Sequence, residues 1–148
     1  DINIKGYFHC AQQAALKMFK KKSGVIVNIS SVSSVLAIPG QSVYSATKGA
    51  VNALTATLAK ELAPYGIRVN AVAPGFFIND RSIKILGSPE TGLTQRGKNV
   101  MSHTPMQRFG KPQDLLGCVE WLLDDRSAAY VTGITVPVDG GFLSHAGI

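Results

Sequence analysis

Two short apolar runs flank one long helical stretch, and that order limits the folds open to this chain. The first run is Gly24-Val25-Ile26-Val27-Asn28-Ile29, a β-branched segment after a glycine. Apolar but for Asn28, rather than alternating, it has the pattern of a strand buried in a parallel sheet. Ser30 to Gly40 is rich in serine and ends in Pro39-Gly40, the composition of a loop. From Gln41 to Ala63, apolar and small residues recur at helical spacing: Ala46, Ala50, Ala53, Leu54, Thr57, Leu58 and Leu62. Pro64 and Gly66 stop that helix. Ile67 to Ala73 is the next strand, and Pro74-Gly75 ends it. Strand, loop, helix and strand in this order specify an α/β fold with a parallel sheet. Such sheets place their ligands just past the carboxyl ends of the strands.

Ser31 sits at that position. Tyr44 follows it by thirteen residues, and Lys48 follows Tyr44 by four. Positions i and i+4 of a helix share a face one turn apart, so the phenol and the ammonium point into one cleft. A free phenol is a poor acid or base at neutral pH, with a pKa of roughly 10. A nearby cation favours the phenolate, and a tuned tyrosine exchanges a proton with a substrate oxygen. The Ser31 hydroxyl is able to donate a hydrogen bond to the same oxygen. Residue frequencies alone would generate the trio in roughly a few per cent of chains of this size. The motifs around it therefore carry the weight.

Those motifs run Asn28-Ile29-Ser30-Ser31, Tyr44-Ser45-Ala46-Thr47-Lys48 and Arg68-Val69-Asn70-Ala71-Val72-Ala73-Pro74-Gly75. Arg108-Phe109-Gly110-Lys111-Pro112, Val131-Thr132-Gly133 and Val138-Asp139-Gly140-Gly141 follow. Together they resemble the short-chain dehydrogenase/reductases over essentially the whole chain. The resemblance implies a Rossmann-type doubly wound parallel sheet, NAD or NADP as cofactor, and hydride transfer between a carbonyl and an alcohol. It makes Tyr44 the general acid/base, Lys48 the residue that readies it and holds the nicotinamide ribose, and Ser31 the residue that orients the substrate carbonyl. Asn3, in Asp1-Ile2-Asn3-Ile4-Lys5-Gly6, matches the family asparagine that supports a water-linked proton relay. The implied cofactor contacts are Tyr44, Lys48, Pro74, Gly75, Phe77 and Asn79. Asn79 stands where most members carry a threonine.

Family members usually run to about 250 residues, and this chain of 148 matches only their C-terminal part. It contains no G-x-G, the turn that receives a dinucleotide pyrophosphate. Residues 1–148 are thus expected to be the C-terminal portion of one domain, from an incomplete sequence or a truncation. A genuine half-length protein would expose the edge of the first strand. The stretch 76–107, interrupted by Gly87, Pro89, Gly92 and Gly97, is expected to form loop and short helix as a substrate lid.

A narrower resemblance lies in the lid. Ala73-Pro74-Gly75-Phe76-Phe77, Leu93-Thr94-Gln95-Arg96-Gly97 and His103-Thr104-Pro105-Met106-Gln107-Arg108-Phe109-Gly110 are similar to the D-mannonate oxidoreductases within that family, also called fructuronate reductases. The implied reaction reduces D-fructuronate to D-mannonate reversibly. A sugar acid needs a partner for its carboxylate, and arginine is the best bidentate one. Arg96 is the first candidate and His103 the second. Arg108 is expected to brace backbone carbonyls.

Other classes fit less well. The net charge of +6 invites nucleic acid, but the Lys17, Lys20, Lys21 and Lys22 cluster closes a helix, where cations suit the dipole. No aromatic residues interleave with it as stacking platforms. No run of eighteen apolar residues indicates a membrane span. Cys10 and Cys118 lack metal spacing and read as two free buried thiols in a reducing cytoplasm. Trp121 reads as core or subunit interface. A small-molecule substrate and a homotetramer, or next a homodimer, are the expected partners, with no nucleic acid and no membrane. The alternatives are a reductase of a 3-oxoacyl thioester, gluconate or another ketose, and a non-catalytic half-domain acting through its interface.

Overall fold

The computed structural model describes residues 2–88 and 90–145. Asp1 of the Asn3 motif and Pro89 of the lid lie outside the described residues.

The chain enters through helix α1 (Ile4–Met18) and strand β1 (Gly24–Ile29). Helix α2 (Ser42–Leu62) crosses over to strand β2 (Ile67–Pro74). Two short helices, α3 (Asp80–Leu86) and α4 (Gln95–Ser102), follow, with a two-residue antiparallel ladder, β3 (Gly87–Ser88) and β4 (Gly92–Leu93), between them. Helix α5 (Gln113–Leu123) and strand β5 (Thr135–Val138) complete the fold. The main sheet runs β1-β2-β5 and is parallel at both pairings. The register sets Gly24 opposite Ile67 and Ile29 opposite Val72 on one side of β2, and Ala71 opposite Thr135 on the other. This is the α/β parallel architecture the residue pattern specifies.

Strand β2 is the centre of the molecule, buried from Ile67 to Ala73. Alternate strand residues point to opposite faces, and the two faces are built differently. On one, Ile67 and Val69 join Ala15 of α1 and Ala59 and Leu62 of α2 in an apolar cluster. On the other, Arg68 donates to the Leu122 carbonyl at 2.8 Å and Asn70 to the Val131 carbonyl at 2.9 Å. These two side chains bind the end of α5 and the following loop to the strand. Gly66 turns the chain into β2 with φ +71°, and a Cβ there would strike the Lys22 carbonyl oxygen.

The inward face of α2 differs from the apolar recurrence. Its buried residues are Lys48, Val51, Thr55, Ala59 and Leu62, whereas Ala46, Ala53 and Thr57 are exposed. Two polar residues hold the inner face because both are bonded. Asn28 donates to Thr55 Oγ1 at 2.9 Å, and Thr55 in turn donates to the Val51 carbonyl. Strand β1 is half-buried rather than enclosed, and Ile29 is exposed, because among the described residues no strand lies on its outer side. The thiols also depart from expectation: Cys10 is exposed, and Cys118 is only half-buried, with its pKa pushed up by burial. Gly97 lies inside α4 instead of breaking it. A side chain there would meet the Leu86 carbonyl, so the glycine lets α4 close on the end of α3. Leu86, Val100 and Phe109 form the small core of this region.

Candidate active site

The sheet delivers its carboxyl ends to one cleft. Ser30 extends β1 by donating its N–H to the Val72 carbonyl at 2.7 Å. The chain then leaves the sheet at Ser31, which caps a single 3-10 turn by accepting from Ser33 N–H at 3.2 Å. Ser34 donates back to the Ser31 carbonyl at 2.6 Å. Asn52 of α2 fastens this turn to the helix. Its amide donates to Ser34 Oγ at 2.8 Å, and its Oδ1 accepts from Ser30 Oγ and from Thr135 Oγ1 of β5. One side chain thus ties the serine loop, the long helix and the third strand together, which fixes Ser31 relative to Tyr44.

Tyr44 stands in the first turn of α2, 42% exposed, and lines an open cleft of about 720 Å³ with Asn3, Ser31, Gln41, Gly75 and Phe76. Lys48, one turn on, is 6% exposed. Its Nζ donates to the Ile29 carbonyl at 2.7 Å and to the Tyr7 hydroxyl at 3.2 Å. The ammonium lies 5.1 Å from the Tyr7 ring centre and 5.8 Å from that of Tyr44. The i, i+4 spacing brings the cation beside the phenol ring, but Lys48 is turned inward to Ile29 and Tyr7 and does not itself line the cleft that the shared face was expected to bring both into. Burying a charge is costly unless it is hydrogen-bonded, and the two bonds answer that cost.

Asn3 occupies the position before α1 with no side-chain cap bond, and its carbonyl accepts from Tyr7 N–H at 3.0 Å. Pro74 ends β2, and Gly75 N–H donates to the Val138 carbonyl at 3.0 Å. Gly75 also allows β2 to close on Asp139, whose Cα would lie 2.8 Å from a Cβ at that position.

The remaining sequence candidates lie elsewhere. Phe77 packs against Gly110 and lines a separate cavity of about 350 Å³ with Arg108, Asp114 and Asp139. Asn79 is exposed and caps α3, its side-chain oxygen accepting from Arg81 and Ser82 N–H at 3.0 Å each. That oxygen is committed to the helix end, and neither Phe77 nor Asn79 lines the Tyr44 cleft. Arg96 and His103 line a third cavity, about 460 Å³, with Leu36, Ile38, Val100 and Phe142. Phe76 borders both this cavity and the Tyr44 cleft. His103 Nδ1 lies 2.6 Å from the Asn99 carbonyl, and its ring packs on that of His145. Arg108 braces the Phe109 carbonyl at 3.2 Å and pairs with Asp114 at 2.6 Å. The Arg108 bonds and Lys111 N–H hold the Asp114 carboxyl down to about 2.

Tyr7 and Asn52 were not among the sequence candidates. Both carried a readable signal. Tyr7 is one turn beyond Asn3, and Asn52 is one turn beyond Lys48 on the face of Tyr44. Among the described residues no group of His, Cys, Asp or Glu is arranged to hold a metal ion, and no helix is long and apolar enough to cross a membrane.

Comparison with known proteins gives one consistent result. The family described as enoyl-(acyl carrier protein) reductase matches residues 1–143. A 3-oxoacyl-[acyl-carrier-protein] reductase of Synechocystis is 41% identical over 143 residues, 97% of this chain and 54% of that protein. A gluconate 5-dehydrogenase from Burkholderia cenocepacia, solved with NADP and tartrate, superimposes with TM-score 0.89 at 36% identity over 97% of this chain and 54% of the other. A Haemophilus influenzae protein provisionally assigned as a D-mannonate oxidoreductase, solved with NAD bound, gives TM-score 0.78 at 37% identity over 84% of this chain and 44% of the other. The chain spans about half the length of the curated relatives it matches.

Proposed function

The chain belongs to the short-chain dehydrogenase/reductase family, and from that membership we propose that it carries the proton-transfer machinery of an NAD- or NADP-dependent oxidoreductase interconverting a carbonyl and a secondary alcohol. One observation supports this reading most directly. Ser31 and Tyr44 line the same cleft at the carboxyl end of the sheet, with the buried Lys48 ammonium beside the Tyr44 ring.

The residues fit a nicotinamide riboside in chemistry. The cleft is roomy, and Asn3, Ser31, Gln41 and Tyr44 give it polar walls. Lys48 uses two of its three N–H bonds on Ile29 and Tyr7, so one donor remains. Lys48 and Tyr44 would hold the ribose, with Pro74 and Gly75 flanking the ring. When bound, the dinucleotide supplies or accepts the hydride. Ser31 Oγ and Tyr44 Oη donate hydrogen bonds to the substrate carbonyl oxygen. Tyr44 then passes its proton to that oxygen as negative charge develops there. Asn3, at the cleft wall, would support a water-linked relay to Lys48.

The substrate proposed first is a small sugar acid of the D-fructuronate/D-mannonate type. Its support is the resemblance in the lid, taken here as about residues 76–107, together with Arg96 and His103 in the cavity across Phe76. A carboxylate on Arg96 would set the carbonyl toward Tyr44. A second reading, a 3-oxoacyl thioester, is favoured by the same cavity's apolar residues Leu36, Ile38, Val100 and Phe142. We also propose a homotetramer or homodimer paired through α1 and α2, whose outward residues Phe8, Leu16 and Val43 are exposed apolar groups. A cytoplasmic location accords with the exposed free thiol of Cys10.

The test uses the protein at its full natural length. Oxidation of NADH and NADPH is followed with sugar acids, gluconate-type ketoacids and 3-oxoacyl thioesters. Tyr44→Phe should lower turnover by about a hundredfold or more with cofactor affinity nearly intact. Unchanged turnover in that variant would remove the assignment.

A further inference from the structure

We propose that Tyr7 is a positioning residue for Lys48, an inference that rests on the oxidoreductase reading above. Its hydroxyl donates to the Ile29 carbonyl at 2.7 Å and accepts from Lys48 Nζ at 3.2 Å. Lys48 donates to the same Ile29 carbonyl at 2.7 Å. Three groups from three elements thus close a small ring of hydrogen bonds: the first helix, the end of β1 and the long helix. The ammonium lies 5.1 Å from the Tyr7 ring centre, out beyond the ring edge at the hydroxyl, so it is the oxygen that holds it.

The consequence is geometric. A lysine stem has four rotatable bonds and, left alone, would spread its ammonium over many positions. Ile29 and Tyr7 hold two of its N–H bonds. The third N–H is thereby directed away from both acceptors. The family resemblance implied a water-linked proton relay supported by Asn3. The structure sets a protein hydroxyl on the ammonium directly, one turn further along the same helix. Tyr7 is bound to α1 through its own N–H and Asn3 carbonyl, so the two residues act as one mount.

Tyr7→Phe separates this role from simple packing, because it keeps the ring and removes only the oxygen. In the full-length protein, Tyr7→Phe should lower kcat about three- to tenfold, the worth of one hydrogen bond. The KM for the carbonyl substrate should stay within error, while the thermal midpoint falls modestly because the buried ammonium loses one of its two acceptors. A second readout does not depend on turnover. Nitrogen-15 NMR of the lysine ammonium groups should give an exchange-protected Lys48 signal in the parent, identified by its absence from Lys48→Met, and Tyr7→Phe should weaken or abolish it. An unchanged Lys48 signal, or a kcat equal to the parent's, overturns the inference about Tyr7. Failure of the oxidoreductase reading looks different: Tyr44→Phe would then be as active as the parent, or the parent would turn over no carbonyl at all. In the latter case the positioning role of Tyr7 in turnover falls with it, whatever the NMR signal shows.

Discussion

The ammonium of Lys48 stands 5.8 Å from the centre of the Tyr44 ring, and the two residues are one helical turn apart with opposite exposure. Tyr44 is 42% exposed and faces the cleft, while Lys48 is 6% exposed and anchored from behind. The acid is free to meet a substrate, and the cation that attends it is not free to leave. A buried charge adds little net stability even when two acceptors hold it, so Lys48 is read as serving a purpose beyond stability.

Replacing Lys48 with methionine tests that statement. The variant keeps most of the side-chain volume and removes the buried charge, and Tyr7 still satisfies the Ile29 carbonyl. Thermal stability should hold or rise, while turnover falls about a hundredfold or more. A loss of both together would make Lys48 a structural residue.

Arg96→Ala distinguishes the substrate readings. If a carboxylate docks on Arg96, KM for an acid substrate should rise about ten- to a hundredfold, the worth of a charged hydrogen-bond pair. KM for a neutral polyol or ketose should change little. Equal losses on both would remove the carboxylate role.

Arg68 carries more stability than its partner Asp125. Its buried guanidinium serves the Leu122 and Val131 carbonyls as well as the carboxylate. Arg68→Met strands the Leu122 carbonyl, while Asn70 still serves that of Val131, and should cost about 1–3 kcal/mol in chemical denaturation. The Asp125 side chain is 70% exposed, so Asp125→Asn should cost under about 1 kcal/mol. The reverse order would show that the ion pair, not the carbonyl contacts, holds α5 to the sheet.

Asp114 gives the protein a defined acid limb. Arg108 and Lys111 N–H hold its carboxyl at about 2 in the folded state, below the unfolded value of about 3.9. The unfolded chain therefore binds the proton more readily. The contribution is full above about pH 4 and is lost as pH falls toward about 2. Asp114→Asn should lower the thermal midpoint at about pH 6 and leave it nearly unchanged at about pH 2. A pH-independent difference would contradict this origin.

Much of the fold was legible because the repeating patterns are local. The apolar run before Ser30 and the Pro-Gly stops give strand, helix and strand without reference to anything distant. The i, i+4 spacing of Tyr44 and Lys48 likewise fixes a shared face by helix geometry alone. The misjudged face of α2 shows the limit. A hydrophobic pattern has no means of placing Lys48 and Thr55 inward, because their burial depends on Ile29, Tyr7 and Asn28, residues nineteen to forty-one positions away.

Local chemistry in the sequence thus determined the parallel α/β class and the Ser-Tyr-Lys constellation. Tertiary structure alone decided which candidates share a cleft. It brought Asn3, Ser31, Tyr44 and Gly75 to the carboxyl end of the sheet, gave the Asn79 oxygen to the cap of α3, and set Phe77 against Gly110 on the far side of Phe76. The reason is physical. Spacing along a chain fixes direction only within one regular element, whereas proximity between elements follows from strand register and from what each buried polar group finds to bond.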